Sequence, residues 1–195
     1  MGLRVDTEPG AEPLRTSDLI ASLGTLPEMD EQVDVLIVAA RKRAETYTGR
    51  ALITQTLVLN LDRFPCGPIV IPRPPLQSVS SIKYIDDSGV QQTLSTSLYR
   101  VVLTREPAIV EPAYGETWPA TRTLSDAVEV EFVAGYGDDA DAVPANIKHA
   151  ITMMVGEWLE YREGVANVRE IPNSVKFLLN GERLGSLFAG AGWGQ

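Results

Sequence analysis

The sequence predicts an α+β fold: a helical bundle formed by N- and C-terminal helices, with an antiparallel β domain inserted between them. Two observations indicate this fold. Apolar residues recur at three- and four-residue spacing near both ends of the chain, and they alternate with polar residues at strand spacing in the middle. Amphipathic helices on either side of a β block need partners for their apolar stripes, and packing against each other is the simplest arrangement.

The first long helix is predicted over residues 28–48, with Gly49 as its C-terminal stop. A shorter helix precedes it, capped by Thr16 or Ser17 and ended by Gly24. The basic cluster Arg41-Lys42-Arg43 is placed near the end of the long helix, where cations complement the helix dipole. The stripe that this helix contributes to the core of the body comprises Val33, Leu36, Ile37, Ala40 and Tyr47.

The second long helix is predicted over residues 144–163, with Pro144 at its first position. A final short helix is predicted to begin at Asn173 or Ser174. The core stripe of the second long helix comprises Ile147, Ile151, Met154, Val155 and Trp158.

Between the helices, short runs of alternating residues predict strands near 56–61, 69–71, 78–85, 90–94, 99–103, 108–111 and 128–133. The stretch IPRPPLQSV contains three prolines between two of these strands, at 72, 74 and 75. Because proline fixes φ and favours extended backbone around it, this stretch is predicted to be a rigid, exposed connection.

The chain therefore divides into four predicted regions. Residues 1–15 form a flexible N-terminal segment, because they hold few large apolar groups and include Pro9, Gly10 and Pro13. Residues 16–51 and 137–180 form the helical body, and residues 52–136 form the inserted β domain. Residues 181–195 form a C-terminal arm that is rich in glycine but also carries large apolar side chains.

Composition argues against several functions. The net charge is −9, and it is spread evenly: 6 basic against 9 acidic groups in each of the segments 1–51 and 52–136, and 5 against 8 in 137–195. Tight, non-specific nucleic-acid binding needs a cationic surface, which no segment supplies. No apolar run reaches membrane-spanning length, the acidic start does not read as a signal peptide, and the single cysteine, Cys66, fits a reducing cytoplasm.

The sequence offers no catalytic, cofactor-binding or metal-binding constellation. His149, the only histidine, flanks a helical stripe and has no nucleophile near it in the sequence. Asp138, Asp139 and Asp141 lack the central glycine and closing glutamate of a calcium loop, so they are interpreted as negative charge near a helix N-terminus. A metal-dependent hydrolase using these three carboxylates remains the least favoured alternative.

Several stretches, in order, resemble one family. ARKRAETYTGRALITQTLVLNLDRFP, IPRPPLQSVSSIKYIDDSG, VEVEFVAGYG, VPANIKHAITMMVGEWLEYRE and IPNSVKFLLNGER span about residues 39–183. Together they are similar to the head–tail connector, or adaptor, proteins of long-tailed bacteriophages and phage-derived gene transfer agents. Gly181 departs from the pattern, since it stands where the family continues its last helix.

The resemblance implies a non-enzymatic virion protein of the neck, assembled in the bacterial cytoplasm as a homo-oligomeric ring of twelve copies beneath the portal. Such a ring extends the DNA channel without binding DNA specifically and joins the head to the stopper or tail. A stopper or tail-completion ring on the same scaffold is the alternative. On this basis the arm is predicted to dock on the portal, the alternative being an arm packed on its own subunit. The predicted portal-binding residues are Arg183, Leu184, Leu187, Phe188 and Trp193.

Overall fold

A computed structural model of the 195-residue chain describes residues 1–23, 30–160 and 171–184. It contains both helices and antiparallel sheets, which confirms the predicted α+β class. The chain divides into two compact units, each built from separated segments: residues 1–10 with 54–136, and residues 11–53 with 137–195. We call them the β unit and the helical unit.

The β unit contains a five-stranded and a three-stranded sheet, with strand orders β1-β2-β8-β4-β5 and β3-β7-β6. All of its strand pairs are antiparallel. The strands are β1 (Gly2–Thr7), β2 (Gln55–Leu61), β3 (Ile69–Val70), β4 (Leu76–Ile85), β5 (Gln91–Thr93), β6 (Tyr99–Val102), β7 (Ile109–Pro112) and β8 (Val128–Ala134).

The central strand β8 shows why the larger sheet has one apolar face. Its residues alternate between buried and half-buried along its whole length. Val130 and Phe132, both fully buried, lie opposite Leu59 and Leu57 of β2. The intervening glutamates of β8 lie on the other face, where Glu129 pairs with cations of β1 and β4. Period-two patterning therefore separates a core face from a charged face.

Part of the N-terminal segment, residues 1–15, which the sequence analysis predicted to be flexible, forms a strand. Gly2–Thr7 forms the edge strand β1, paired antiparallel with β2. Leu3 and Val5 lie opposite Leu59 and Leu57, on the apolar side of the sheet, where Leu3 is half-buried and Val5 is 46% exposed. The prediction rested on the few large apolar groups of this segment and on Pro9, Gly10 and Pro13, which all lie beyond the strand, and it overlooked the short alternating run before them.

The proline stretch was predicted to be an exposed connection, but much of it is buried. Pro72 and Pro74 are buried, as is Ile71 before them. The backbone N–H of Ile71 donates to the carbonyl of Ala108 at 2.9 Å, and β4 begins at Leu76. The segment is thus part of the packed interior of the β unit, which sequence patterning could not indicate because proline is more often exposed.

The helical unit contains α1 (Thr16–Leu23), α2 (Asp30–Thr48), α3 (Ala145–Glu160) and α4 (Asn173–Asn180). α2 contacts α1, α3 and α4, and α3 also contacts α4. Most residues assigned to the helical-body core from the sequence are buried, whereas Leu36, Tyr47 and Trp158 are half-buried. The buried ones are Val33, Ile37, Ala40, Ile147, Ile151, Met154 and Val155.

The dipole interpretation requires the basic cluster of α2 to lie in the last turn of the helix, but no basic residue lies there. Arg41 is only 3% exposed. Its Nε donates to Glu12 Oε2 at 2.8 Å, and its Nη1 donates to Glu45 Oε2 at 3.2 Å. Glu45 also accepts, through Oε1, from the backbone N–H of Leu52 at 3.0 Å. Arg41 is therefore the centre of a buried ion-pair network.

Candidate assembly site

The predicted portal-binding residues divide into two groups. Arg183 and Leu184 lie within the residues that the structure describes, whereas Leu187, Phe188 and Trp193 lie outside them. We call residues 180–184, which join α4 to the rest of the arm, the arm root. Its contacts with the body of the helical unit fix where the arm begins.

The arm root lies against the C-terminal end of α2. Tyr47 donates its hydroxyl hydrogen to Asn180 Oδ1 at 2.7 Å, and the backbone N–H of Leu184 donates to the carbonyl of Thr48 at 3.0 Å. The guanidinium carbon of Arg183 lies 5.2 Å from the centroid of the Tyr47 ring, within cation–π range. Each contact spans more than 130 positions of sequence, so the fold, not local structure, brings these groups together.

Glu182 joins the arm root to two other segments. Its Oε1 accepts from Asn146 Nδ2, in the first turn of α3, at 3.1 Å. Its Oε2 lies 4.0 Å from Arg50 Nε, and that same nitrogen donates to the Glu182 backbone carbonyl. Arg50 is only 8% exposed, so its guanidinium meets less competition from water than a surface arginine would. The arm therefore starts from a fixed position on the helical unit.

Gly49 allows the close approach of the arm root to α2. Its φ is +75°, in the left-handed region that ends many helices, and its N–H donates to the carbonyl of Glu45 at 2.9 Å. A β-carbon at this position would lie 3.3 Å from Leu184 Cδ1. The backbone conformation and the contact with Leu184 both favour glycine here.

Replacing Gly49 with alanine should lower the free energy of unfolding by about 1–2 kcal/mol, because an L-residue is strained at this φ and its methyl crowds Leu184. Chemical denaturation would measure the loss. Gly67→Ala is the matched control, since a β-carbon at Gly67 meets nothing within 4 Å and its φ is not in the left-handed range. Equal stability of the Gly49→Ala variant and the unsubstituted protein would contradict this account.

The outer face of α4 is unusual for a short surface helix. Val175 and Leu179 are buried, whereas Phe177, between them in sequence, is 79% exposed. Lys176 and Arg183 are the cations on either side, and neither has a carboxylate within ion-pair distance among the described residues. α4 thus presents an exposed aromatic side chain, and the nearest cations in the sequence have no carboxylate partner among the described residues.

The acidic run and the histidine that the sequence analysis considered lie at the surface of the helical unit. Within ranges 1–23, 30–160 and 171–184, no three His, Cys, Asp or Glu side chains lie together as metal ligands. Asp138, Asp139, Asp141 and His149 are exposed. Nor is any helix in those ranges long and apolar enough to cross a membrane.

One open depression in the β unit is lined by aromatic residues. The rings of Phe64 and Trp118 stack at 4.9 Å, and Trp118 donates through Nε1 to the carbonyl of Gly67 at 2.9 Å. Cys66, which is exposed, also lines it, but no histidine or carboxylate does. The depression therefore has no base to activate the thiol.

Sequence reasoning selected Arg183 and Leu184 but missed the residues that hold them. The contacts between Arg50, Asn146 and Glu182 could not be predicted, because these residues lie in three separate segments and their pairing depends on the fold. Tyr47 was assigned to the core, yet it is half-buried and directs its hydroxyl group to the arm root. The only pointer in the sequence was that YTGR and NGER both belong to the stretches that carry the family resemblance.

Neither a protein-family model nor a curated protein sequence matches the chain. Chains of solved structures, in contrast, do match it. A chain in the virion of a native gene transfer agent (GTA) particle is similar with a TM-score of 0.78 and 24% identity, over 95% of this chain and 98% of that one. A chain in the neck of an empty GTA particle, computed with C6 symmetry, has a TM-score of 0.78 and 23% identity, with coverage of 95% and 98%.

A chain in the neck of a native GTA particle, computed with C12 symmetry, has a TM-score of 0.72 and 24% identity, again with coverage of 95% and 98%. These identities are low, so the likeness concerns the fold. Along nearly its whole length, this chain has the fold of proteins found in gene-transfer-agent virions and necks.

Proposed function

We propose that this chain is a structural, non-enzymatic protein of the neck of a bacteriophage or gene-transfer-agent particle, acting as an adaptor between portal and stopper or tail. The observation that carries the proposal is the fold likeness to chains of GTA virions and necks, which covers 95% of this chain and 98% of those chains. Near-complete coverage in both directions indicates a counterpart of the whole neck protein, not a shared module.

The proposed assembly is a homo-oligomeric ring of twelve copies. In this assembly the helical unit forms the ring body, and the β unit decorates it as an insertion. The C6 and C12 symmetries used for the similar necks support a ring, because twelve copies satisfy both symmetries. DNA passes through the channel without specific binding, and a chain of net charge −9 suits a wall along which DNA must slide.

The proposed portal contact is the arm. The arm root is held on the helical unit by Tyr47, Arg50 and Asn146, so residues beyond Leu184 start from a defined place. Leu187, Phe188 and Trp193 are the large apolar anchors that the arm offers. A few buried aromatic and aliphatic anchors supply most of the energy of a typical protein interface.

Deleting residues 185–195 should weaken attachment to heads that bear the cognate portal but no neck proteins by at least about 100-fold, because three apolar anchors are lost together. Co-sedimentation of the purified protein with such heads would measure attachment. The deletion keeps the arm root intact, and a second variant with serine at 187, 188 and 193 keeps the length of the arm. Undiminished attachment of both variants would overturn arm docking.

Binding to the same heads also distinguishes an adaptor from a stopper or tail-completion protein. An adaptor binds the bare portal directly, whereas a stopper or tail-completion protein binds only after another ring has been added. Binding that required a preceding ring would therefore move this chain to a later position in the neck.

A further inference from the structure

The five-stranded sheet of the β unit has two edges that are open to further strand pairing. In the part of the chain that the structure describes, β1 pairs only with β2, and β5 pairs only with β4. Every residue of β5 is exposed, and in β1 only Leu3 is half-buried. About half of the N–H and C=O groups of an edge strand point away from its sheet, where another strand can bind them.

Little in the sequence of these strands blocks such pairing. Natural edge strands are commonly protected by proline, by lysine or by a bulge. β5 reads Gln-Gln-Thr, with neither a charge nor a proline. β1 has a bulge between Val5 and Thr7, but Gly2–Arg4 pairs regularly before it. The one charge of that regular part, on Arg4, already pairs with Glu129 of its own sheet at 3.4 Å.

The strand directions favour a contact between the two different edges. Every neighbouring pair in this sheet is antiparallel, so β1 and β5, the first and the fifth strands in its order, run in the same direction. Rotation about a ring axis keeps that direction, so β5 of one copy can meet β1 of the next as a parallel pair. Two edges on opposite sides of one sheet are the two different surfaces that a head-to-tail ring requires.

The faces of the side chains limit the register of this pair. Gln92 lies opposite Tyr84, and Tyr84 lies opposite Val128, which is fully buried in the core. Gln92 is therefore on the apolar side of the sheet, as is Leu3. A slip of one residue would reverse the faces. Gln92 must therefore lie beside a residue of the apolar side, such as Leu3, and not beside Arg4.

The smallest shift between copies that keeps the faces matched and pairs the whole of β5 brings Gln92 level with Leu3. Within one sheet, successive partners place Thr93 level with Gly2, so the next copy must move along the strand direction. The shift also sets Arg4 beside Thr93. Because β5 carries no charge, Arg4 meets no like charge there.

We infer that β5 of one copy pairs in parallel with β1 of the next copy and so joins the five-stranded sheets into one sheet around the ring. The inference rests on the proposed function, which supplies the ring. The size of such a ring suits a DNA channel. At about 4.8 Å per strand, twelve five-stranded sheets have a circumference of about 290 Å and a diameter of about 90 Å, which is wide enough for duplex DNA to pass.

Disulfide cross-linking tests this pairing. Arg4→Cys with Thr93→Cys puts two thiols side by side at every joint, because neighbouring strands are about 4.8 Å apart, within the range that a disulfide spans. Cys66 is exposed, so Cys66→Ser is added to remove its thiol. The variant is bound to portal-bearing heads, treated with oxidised glutathione and run on a non-reducing gel. We expect a ladder of covalent oligomers larger than dimers, since each copy carries both halves of the joint.

Two controls in the same Cys66→Ser background separate this contact from others. Arg4→Cys with Gln92→Cys places the thiols on opposite faces of the pair and should run as a monomer. Arg4→Cys alone should also run as a monomer, whereas covalent dimers would show that β1 pairs with β1 of another copy and would overturn the inference.

The edge pairing and the proposed function can fail separately. If the Arg4→Cys, Thr93→Cys variant binds the heads as the unsubstituted protein does but gives no ladder, the edge pairing is overturned and the proposed adaptor stands. If the unsubstituted protein neither binds the heads nor forms oligomers by native mass spectrometry, the proposed function is overturned, together with the ring on which the inference rests.

Discussion

Replacing Arg41 with methionine should lower the free energy of unfolding by about 3–5 kcal/mol, because removing one partner of a buried ion pair leaves charges without compensation. The Arg41 side chain is 4% exposed and that of Glu45 is 10% exposed. Methionine fills much of the same volume, so the loss would reflect charge more than a cavity. Urea denaturation, followed by circular dichroism at 222 nm, a standard helix signal, would measure it.

Two further variants test whether the charge is responsible. Glu45→Gln in the Arg41→Met background removes the uncompensated carboxylate but keeps an oxygen that can accept from the Leu52 N–H, so it should restore about 1–2 kcal/mol. Lys42→Met changes the adjacent, exposed cation of α2 and should cost less than about 0.5 kcal/mol. An Arg41→Met loss no larger than that of Lys42→Met would contradict a buried ion-pair network.

Arg41 also shows where sequence reasoning reaches its limit. The periodicity of α2 correctly predicted a helix, because burial of one face imposes three- and four-residue spacing. The identity of the buried charged residue was out of reach, since its partner Glu12 lies 29 positions earlier, in a segment interpreted as flexible. A pattern along one helix carries no information about which distant carboxylate packs onto it.

The strands of the β unit were predicted from the alternation of apolar and polar residues, but the sequence did not indicate which strands pair. Alternation located β2 and β8: every second residue of β8 is buried, and β2 follows the same pattern except at Val58, which is also buried. It did not give the sheet order, in which β8 lies between β2 and β4. Strand order depends on long-range pairing, for which a single sequence offers few signals.

The portal-binding residues named from the sequence stay a prediction, and the sequence did not give the geometry of the arm root. Large apolar groups among glycines identified the arm, and Arg183 and Leu184 lie at its root. The exposure of Phe177 was not predicted, because only the packing of α4 shows which side of this eight-residue helix faces the body. Burial within a short helix is decided by its neighbours, not by its own composition.

Replacing Phe132 with alanine should be the most damaging single change in the β unit, lowering its stability by about 3–5 kcal/mol. Phe132 is fully buried on the central strand β8, between Leu57 of β2 and Val79 of β4. Its loss opens a cavity that both neighbouring strands line, and paired backbones restrict their collapse into it. Hydrogen exchange at the amides of β2 and β4 should accelerate together, and chemical unfolding should occur at a lower denaturant concentration.

Val133→Ala changes the next residue of β8, which lies on the half-buried face, and is the matched control. It should cost about 1 kcal/mol or less. Equal losses for the two variants would show that the apolar face of the sheet does not stabilise the unit as its burial pattern indicates.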